Sequence, residues 1–553
     1  ADLPRDGFFI ADRIALSQGL RTDHPERVSA CIRHILNEVA ADGHTHLHLD
    51  GVESLCEQLE GKFQIPRDMA ETLVKKLSVD GELIIDQDPD DKEKARIFLK
   101  SLYEAEYGIA QKIKALSTIP AYFNGVTPEQ LERQVYSTLA INLSLEQREA
   151  LFAVFRQPVS IITGGPGTGK TTLIRSVAAV YDGLGKRILL AAPTGRAAKR
   201  LSEVTGKPAL TIHRMLGYNP SEERFEKNAD EPLEADAVIV DEASMIDTAL
   251  MYHLLMAVCL GMHLILVGDV FQLPSVGPGN VLGDLIDSKK IATFELTEIF
   301  RQAQRSPIVM NAHRVRRGEM PDLNPPGDDP EELSEFYFFE RSSEASVVDT
   351  VAALCTDKIP HAFGFNPMRD IQVLTPMHKG PAGTINLNHV LQEVLNKPDS
   401  EGFIQHGKFR VGDKVMHLKN NYEKEVFNGD IGTVDTIEPS KSRLYVLYDG
   451  RRVSYDFSEL DELTLAYAIS VHKSQGSEYP AVVVALVTAH FPLLQRNLLY
   501  TAMTRGKKLV ILVGSRRAFT IALENDSPRL RRTGLRHHLI TDSPFRSLFL
   551  TEG

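Results

Sequence analysis

The chain has 553 residues, 43% of them hydrophobic and 25% charged, which is too long for one ordinary core and suggests about three to four domains. Its 62 basic and 74 acidic residues leave a net charge of −12, so a polyanion partner is not advertised over the whole surface and requires a local basic track. No apolar run reaches the length of a membrane span, and no membrane partner is expected. The start, ADLPRDGFFIADRIAL, lacks the basic and apolar pattern of a secretion signal. It also begins without Met, as a fragment of a longer protein would. The four cysteines, Cys31, Cys56, Cys259 and Cys355, form no CxxC pair. That spacing argues against a zinc site and a disulfide framework, and for a reducing, cytoplasmic setting.

Residues 1–140 read as a mainly helical, winged-helix-like accessory domain. In HPERVSACIRHILNEVAADG, Val28, Cys31, Ile32 and Ile35 recur at helical spacing on one face. SVDGELIIDQDPDD reads as a short hairpin. Between them His44, His46 and His48 alternate in HTHLH. Alternate histidines on a strand share a face and can bind a metal, although an exposed strand is the expectation here.

From LSLEQREALFAV onward, apolar strands alternate with helices: VSIITGG, RILLAAPT, DAVIVDEAS and HLILVGD. Continuous apolar strands imply a parallel α/β sheet buried on both faces. Ligands of such sheets sit beyond the carboxyl ends of the strands, and each strand here ends in a polar loop.

GGPGTGKT satisfies G-x-x-x-x-G-K-[ST] with Gly164, Gly169, Lys170 and Thr171. Backbone N–H groups from Gly165, Gly167, Thr168, Gly169, Lys170, Thr171 and Thr172 are placed to cradle phosphates, with Pro166 contributing only shape, and the following helix adds its positive end. Lys170 is expected on the β- and γ-phosphates and the Thr171 hydroxyl on Mg²⁺. Asp241 in AVIVDEAS supplies the second Mg²⁺ ligand, and Glu242 beside it orients or deprotonates a water. The acid pair favours ATP hydrolysis over transfer to another acceptor. Gln272, just past the strand in LVGDVFQLPSV, can face the γ-phosphate. Arg301 in LTEIFRQ and Arg505 in LYTAMTRGKK can stabilise the negative transition state.

PDLNPPGDDPEE (321–332) reads as a linker. A second α/β pattern follows in DIQVLTPMHKG, YPAVVVALV and KKLVILVG, interrupted by short alternating strands over 410–463 that suggest an antiparallel barrel. If Arg505 reaches the nucleotide from this second half, ATP closes two lobes and hydrolysis opens them.

Together LEQREAL, GGPGTGKTT, APTGRAAKRL, TIHRML, VDEASMID, GDVFQLPSV, IFRQ, FNGDIGTV, SVHKSQGSEY and YTAMTRGKK resemble, in order over 141–515, the RecD-like branch (SF1B) of superfamily 1 helicases. The free-standing bacterial members are the expected kin. The resemblance implies a first RecA-like lobe over 141–330 with a pin-like insert at 217–234. It implies a second lobe over 331–409 and 464–553, with an SH3-like insert at 410–463. It makes Gln147 the adenine reader, Phe300 a ring stacked on the base, and Glu478 a neighbour of the ribose or γ-phosphate. Arg301 and Arg505 become arginine fingers. Pro193, Thr194, Arg196, Thr211, His213, His472, Lys473, Ser474 and Gln475 become DNA contacts, of the kinds that suit phosphates and carry no sequence information. Phe225 becomes a tip or packing residue of the pin. The implied activity is ATP-dependent 5′–3′ translocation on single-stranded DNA by a monomer, with separation of duplex at single-strand/double-strand junctions. Other DNA-repair proteins are expected to meet the N-terminal region.

Three rivals stand beside this. An RNA helicase would share the motor chemistry. A conjugative relaxase–helicase would use the HTHLH histidines, but its larger domain needs an early tyrosine, and the first tyrosine here is Tyr103. A slow nucleotide switch would lack a finger or the catalytic acid, whereas Glu242, Gln272, Arg301 and Arg505 are all present.

Overall fold

The computed structural model describes residues 5–47, 51–87, 95–119, 127–323, 333–398, 404–421, 423–526 and 531–541. Two all-parallel sheets dominate it. The first has six strands in the order Ala292–Leu296, Val159–Gly164, His263–Gly268, Ala237–Val240, Ile188–Ala192, Ala209–Thr211. Its central strands are buried on both faces, as their unbroken apolar runs require. Val159, Ile161, Val238, Val240, Leu264 and Leu266 enter one apolar cluster. The alternate residues Ile162, Ile239, Ile265 and Val267 enter another, against helix Lys170–Gly183. That division is the period of two along a strand.

The second sheet runs Phe336–Glu340, Gly506–Gly514, Tyr479–Leu486, Ile371–Thr375, Ala468–Ser470. It too is buried on both faces, Val482 and Val484 on one side, Val483 and Ala485 on the other. The β-rich insert is a five-stranded antiparallel sheet in the order Arg451–Asp456, Arg443–Tyr448, Ile431–Glu438, Lys414–His417, Leu463–Leu465. Its own core includes Phe409, Val415, Val446 and Tyr455.

In the N-terminal region, helix Pro25–Ala41 buries Val28, Cys31, Ile32 and Ile35, the face its spacing predicts, together with Leu36. The strand order His46–Leu47, Ala95–Leu99, Leu83–Gln87 is antiparallel, with helices Gly51–Phe63 and Arg67–Val79 between the first strand and the hairpin. That is a winged-helix order. The hairpin's second strand lies further along than SVDGELIIDQDPDD suggests, because ARIFL is the apolar partner of LIIDQ.

Packing shifts three expected boundaries. Helices Lys100–Ser117 and Pro128–Leu139 place Ile109, Ile113, Leu131 and Val135 in the clusters of the first sheet, although both fall before 141. Helix Pro307–Arg316 places Ile308, Ala312 and Val315 in the cluster of the second sheet, although it falls before 331. Helix Leu535–Ile540 buries Leu535 and Leu539 in the first sheet's cluster, not the second's. In each case an amphipathic face follows the larger apolar surface beside it. The expected linker falls mostly on 324–332, outside the described residues.

Candidate functional site at the junction of two lobes

Strand Val159–Gly164 delivers the glycine loop directly onto helix Lys170–Gly183. Gly167 and Gly169 have φ of 75° and 82°, a region that disfavours side chains. A Cβ on Gly169 would collide with the Gln147 amide and the Phe300 ring. Gly165 lies against His313, whose Nε2 donates to the Pro166 carbonyl at 3.1 Å. Thr168 donates to the Gly165 carbonyl at 2.9 Å, while Thr171 and Thr172 begin the helix.

Lys170 Nζ donates to the carbonyls of Gly164 at 2.6 Å and Gly165 at 3.0 Å. The ammonium is thus held by neutral oxygens of its own loop, a position from which it can transfer to a phosphate. Asp241, half-buried at the end of its strand, accepts from the Glu242 N–H at 2.9 Å. Burial, then the charge of Glu242, pushes its carboxyl up to about 6, while Arg200 and Lys170 pull it down. A divalent cation would relieve that repulsion, so Thr171, Asp241 and nucleotide oxygens fit Mg²⁺. Glu242 itself has φ of 52°, a left-handed conformation that costs a non-glycine residue about 1–2 kcal/mol. Strain of this kind concentrates at functional sites.

The second lobe meets this site through its own motif residues. Arg505 is 2% exposed. It donates to Gln272 Oε1 at 3.1 Å and to the Ser477 carbonyl at 3.1 Å. Gln475 Nε2 donates to the Leu273 carbonyl at 2.8 Å, and the Leu273 N–H donates to Thr501 Oγ1 at 2.8 Å. Tyr500 OH donates to Asp269 at 2.6 Å. Arg200, from helix Gly195–Thr205, pairs at 2.5 Å with Glu478, which Lys507 also approaches at 3.2 Å. Arg200, Asp269, His313 and Tyr500 carry no local signal as site residues. Their partners lie more than a hundred residues away, and no spacing marks them.

Several expected roles change with the geometry. The Gln147 amide is already satisfied: Oε1 accepts from Ser144 N–H at 3.1 Å in a capping box and Nε2 donates to the Gly169 carbonyl at 3.2 Å. Reading adenine requires exchanging those bonds. Phe300 lies over Gly169, its N–H on the Gly167 carbonyl at 3.3 Å. Arg301 opens helix Arg301–Gln304, and its side chain lies outside the described residues. Glu478 sits on Arg200, one side chain removed from Asp241.

The set expected on DNA divides. Arg196 spans the lobes instead, donating to Ser477 Oγ and Tyr479 OH at 2.9 Å each. Ser474 and Gln475 are buried, Ser474 Oγ turned onto the Val471 carbonyl at 2.7 Å. Thr194 and Thr211 spend their hydroxyls capping helices, on the N–H groups of Ala197 and Arg214. Pro193 and Thr194 are half-buried and His472 is exposed. Lys473 reaches Asn428 Oδ1 at 2.8 Å.

The 217–234 insert is an antiparallel hairpin of Tyr218–Asn219 and Arg224–Phe225. Phe225 packs at its base against Tyr218, His253 and His213, with centroids at 4.9, 4.5 and 5.7 Å. The exposed turn, Pro220 to Glu223, carries no aromatic ring. His213 is therefore a packing partner of the hairpin, and burial holds its pKa below the usual value.

The HTHLH segment departs from the exposed strand expected of it. His46 is buried, its Nδ1 2.7 Å from the Leu47 carbonyl and its ring beside Phe98. His44 accepts from the Arg532 N–H at 3.1 Å, and His48 lies outside the described residues. Among the described residues no group of three His, Cys, Asp or Glu is placed to hold a metal. Nor is any helix there long and apolar enough to cross a membrane.

Four family models match the chain: the AAA domain over 147–278, the ATP-dependent RecD-like DNA helicase SH3 domain over 387–448, the UvrD-like helicase C-terminal domain over 465–513, and the ATP-dependent RecD2 DNA helicase HHH domain over 1–46. The chain is 37% identical over 524 residues to the ATP-dependent RecD2 DNA helicase of Deinococcus radiodurans, covering 93% of this chain and 69% of that protein. It is 32% identical over 438 residues to the RecBCD enzyme subunit RecD of Mycolicibacterium smegmatis, covering 71% and 74%. Among solved structures, a Pif1 helicase from Bacteroides in complex with ADP-AlF3 and ssDNA aligns with a TM-score of 0.42 at 19% identity, covering 70% of this chain and 96% of that one. The chain belongs to the RecD2-like family of ATP-dependent DNA helicases.

Proposed function

We propose that the protein hydrolyses Mg-ATP between its two lobes and moves 5′ to 3′ along single-stranded DNA, separating the duplex it meets. The observation that carries this reading is the Arg505–Gln272 contact, which joins the second lobe to the loop following a central strand of the first. When bound, Mg²⁺ neutralises charge on the β- and γ-phosphate oxygens. Lys170 leaves its two carbonyls for those phosphates, and Glu242 orients the attacking water. Arg505 stabilises the charge that develops on the transferring group. Arg505 exchanges its Gln272 contact for the nucleotide during the cycle, and Arg200–Glu478 carries the change to the second sheet. The hairpin at 217–234 acts as a steric wedge, since its turn offers no aromatic ring for stacking. Contacts from Pro193, Thr194, Thr211, His472 and Lys473 fall on the strand's backbone. The working unit is a monomer in the cytoplasm.

The test is a set of forked DNAs with only a 5′ tail, only a 3′ tail, or an RNA tail, each given ATP and Mg²⁺. Unwinding is expected from the 5′ DNA tail. Unwinding from the 3′ tail alone overturns the direction, and preference for the RNA tail overturns the substrate. Activity surviving in Lys170→Ala overturns the motor chemistry.

A further inference from the structure

A cavity of about 450 Å³ lies where the N-terminal region meets the returning C-terminal segment. Arg96, Arg531, Arg532, Arg536, His46 and His537 line it, and none of its lining residues is a carboxylate. In a chain of net charge −12 this is a concentrated basic site. It is also a built one. The Arg532 carbonyl accepts from Thr45 N–H at 2.9 Å, and Gly534 N–H is held by the fully buried Glu106 at 2.9 Å. Arg531 is fixed by the carbonyls of Ser275, Gly277 and Gly279 at 2.7–2.8 Å. Those partners are neutral, and Asp247 acts on the guanidinium from outside the cavity.

Carboxylates outside the cavity offset part of this charge. Asp86 approaches Arg96 at 3.6 Å. Asp42 acts on Arg532 from outside the cavity. Asp284 faces Arg536, but burial pushes its carboxyl up to about 7. Arg532 Nε is buried with no hydrogen-bond partner. An anion in the cavity would give Arg532 Nε an acceptor.

A second cavity of about 450 Å³ shares Arg531 as a wall and opens onto His44, Ser275, Val276 and His472. The two cavities thus adjoin at Arg531, between the basic cluster and His472, with Asp42 also lining the second. Ile540, 45% exposed, offers an apolar rim for a sugar or base.

We propose that this cavity is a phosphate seat for single-stranded DNA, continuing the strand's path beyond the two lobes. The assignment rests on the reading that the strand passes His472. The N-terminal region and the C-terminal helix then grip the strand jointly, outside the ATP cycle. Guanidinium groups suit such a seat because they fork onto phosphate oxygens.

The test uses the full chain and an oligothymidylate series of rising length. Two variants are compared with the parent: Arg536→Glu, at an exposed position, and Arg96→Gln/Arg532→Gln. Long strands are expected to bind about tenfold more weakly, with a salt slope smaller by about 0.7 for each phosphate that the variant no longer neutralises. Short strands that fill only the lobes, and DNA-stimulated ATPase at saturation, are expected to be unchanged. Equal affinity and slope at every length overturn the proposal, as does a loss confined to duplex DNA. Protection of the parent by inorganic phosphate, with long-strand affinity unchanged in both variants, marks a free-anion site and overturns it too. Absence of DNA-stimulated ATPase in the parent overturns the underlying reading instead.

Discussion

Arg505 of the second lobe and Gln272 of the first share a 3.1 Å hydrogen bond across the lobe junction. The contact is buried on the arginine side, where Thr501, Thr504 and Ser477 supply only neutral oxygens. Arg505→Lys keeps a charge but loses the fork that serves several partners at once. ATP turnover is expected to fall by at least about 10²-fold in Arg505→Lys and Gln272→Ala, the scale of losing a group aimed at transition-state charge. The double variant is expected to be little worse than either single one, since the two act as a unit. Steady-state ATPase with a double-mutant cycle checks this, and additive losses count against it.

Arg200 and Glu478 form a pair whose side chains are 38% and 19% exposed. Pairs of that exposure add little to folding, about 0–1 kcal/mol. Glu478→Gln is therefore expected to leave the melting temperature within about 2–4 °C of the parent. Because the pair joins the neighbourhood of Asp241 to the second sheet, unwinding is expected to fall more than ATPase. A parallel fall in both rates would remove the coupling role.

Phe225 and the hairpin turn separate stability from unwinding. Phe225→Ala removes a ring packed on Tyr218, His213 and His253 and is expected to destabilise by about 1–3 kcal/mol in a denaturant titration. Deletion of 219–230 is expected to abolish unwinding while single-strand-stimulated ATPase persists. Retained unwinding after that deletion rules out the wedge.

Glu106 is buried between helix Lys100–Ser117 and the C-terminal segment, and burial, then Asp284, pushes its carboxyl up to about 8 from 4.5. The folded state binds this proton more tightly than the unfolded chain does. Its contribution is therefore fullest below the unfolded value and is lost as pH rises from about 4.5 to about 8. Glu106→Gln is expected to flatten the fall of melting temperature over that window. An unchanged slope would place the titration elsewhere.

What can be seen from the residues alone follows the range of the interactions. The glycine loop is continuous in the chain, Asp241 and Glu242 are neighbours, and the chemistry of each depends on a strand running into a turn. The apolar face of Val28, Cys31, Ile32 and Ile35 is a matter of helical spacing. Arg196 and Gln475 cannot be placed this way, because whether such a side chain meets DNA or the other lobe depends on partners roughly 200 to 280 residues distant. His46 defeats the spacing argument because alternation marks two faces without saying which is covered. The helix at 307–316 falls in a different lobe from its sequence neighbours because chain order does not reveal which sheet an apolar face adopts.

The polypeptide crosses between the lobes twice. It enters the second lobe near helix Pro307–Arg316, and it returns after helix Arg516–Glu524 to place Leu535 and Leu539 in the core of the first. The second lobe is thus tied to the first by two stretches of chain as well as by the side-chain contacts at their junction. Two covalent connections leave the second lobe fewer ways to move against the first than a single one would.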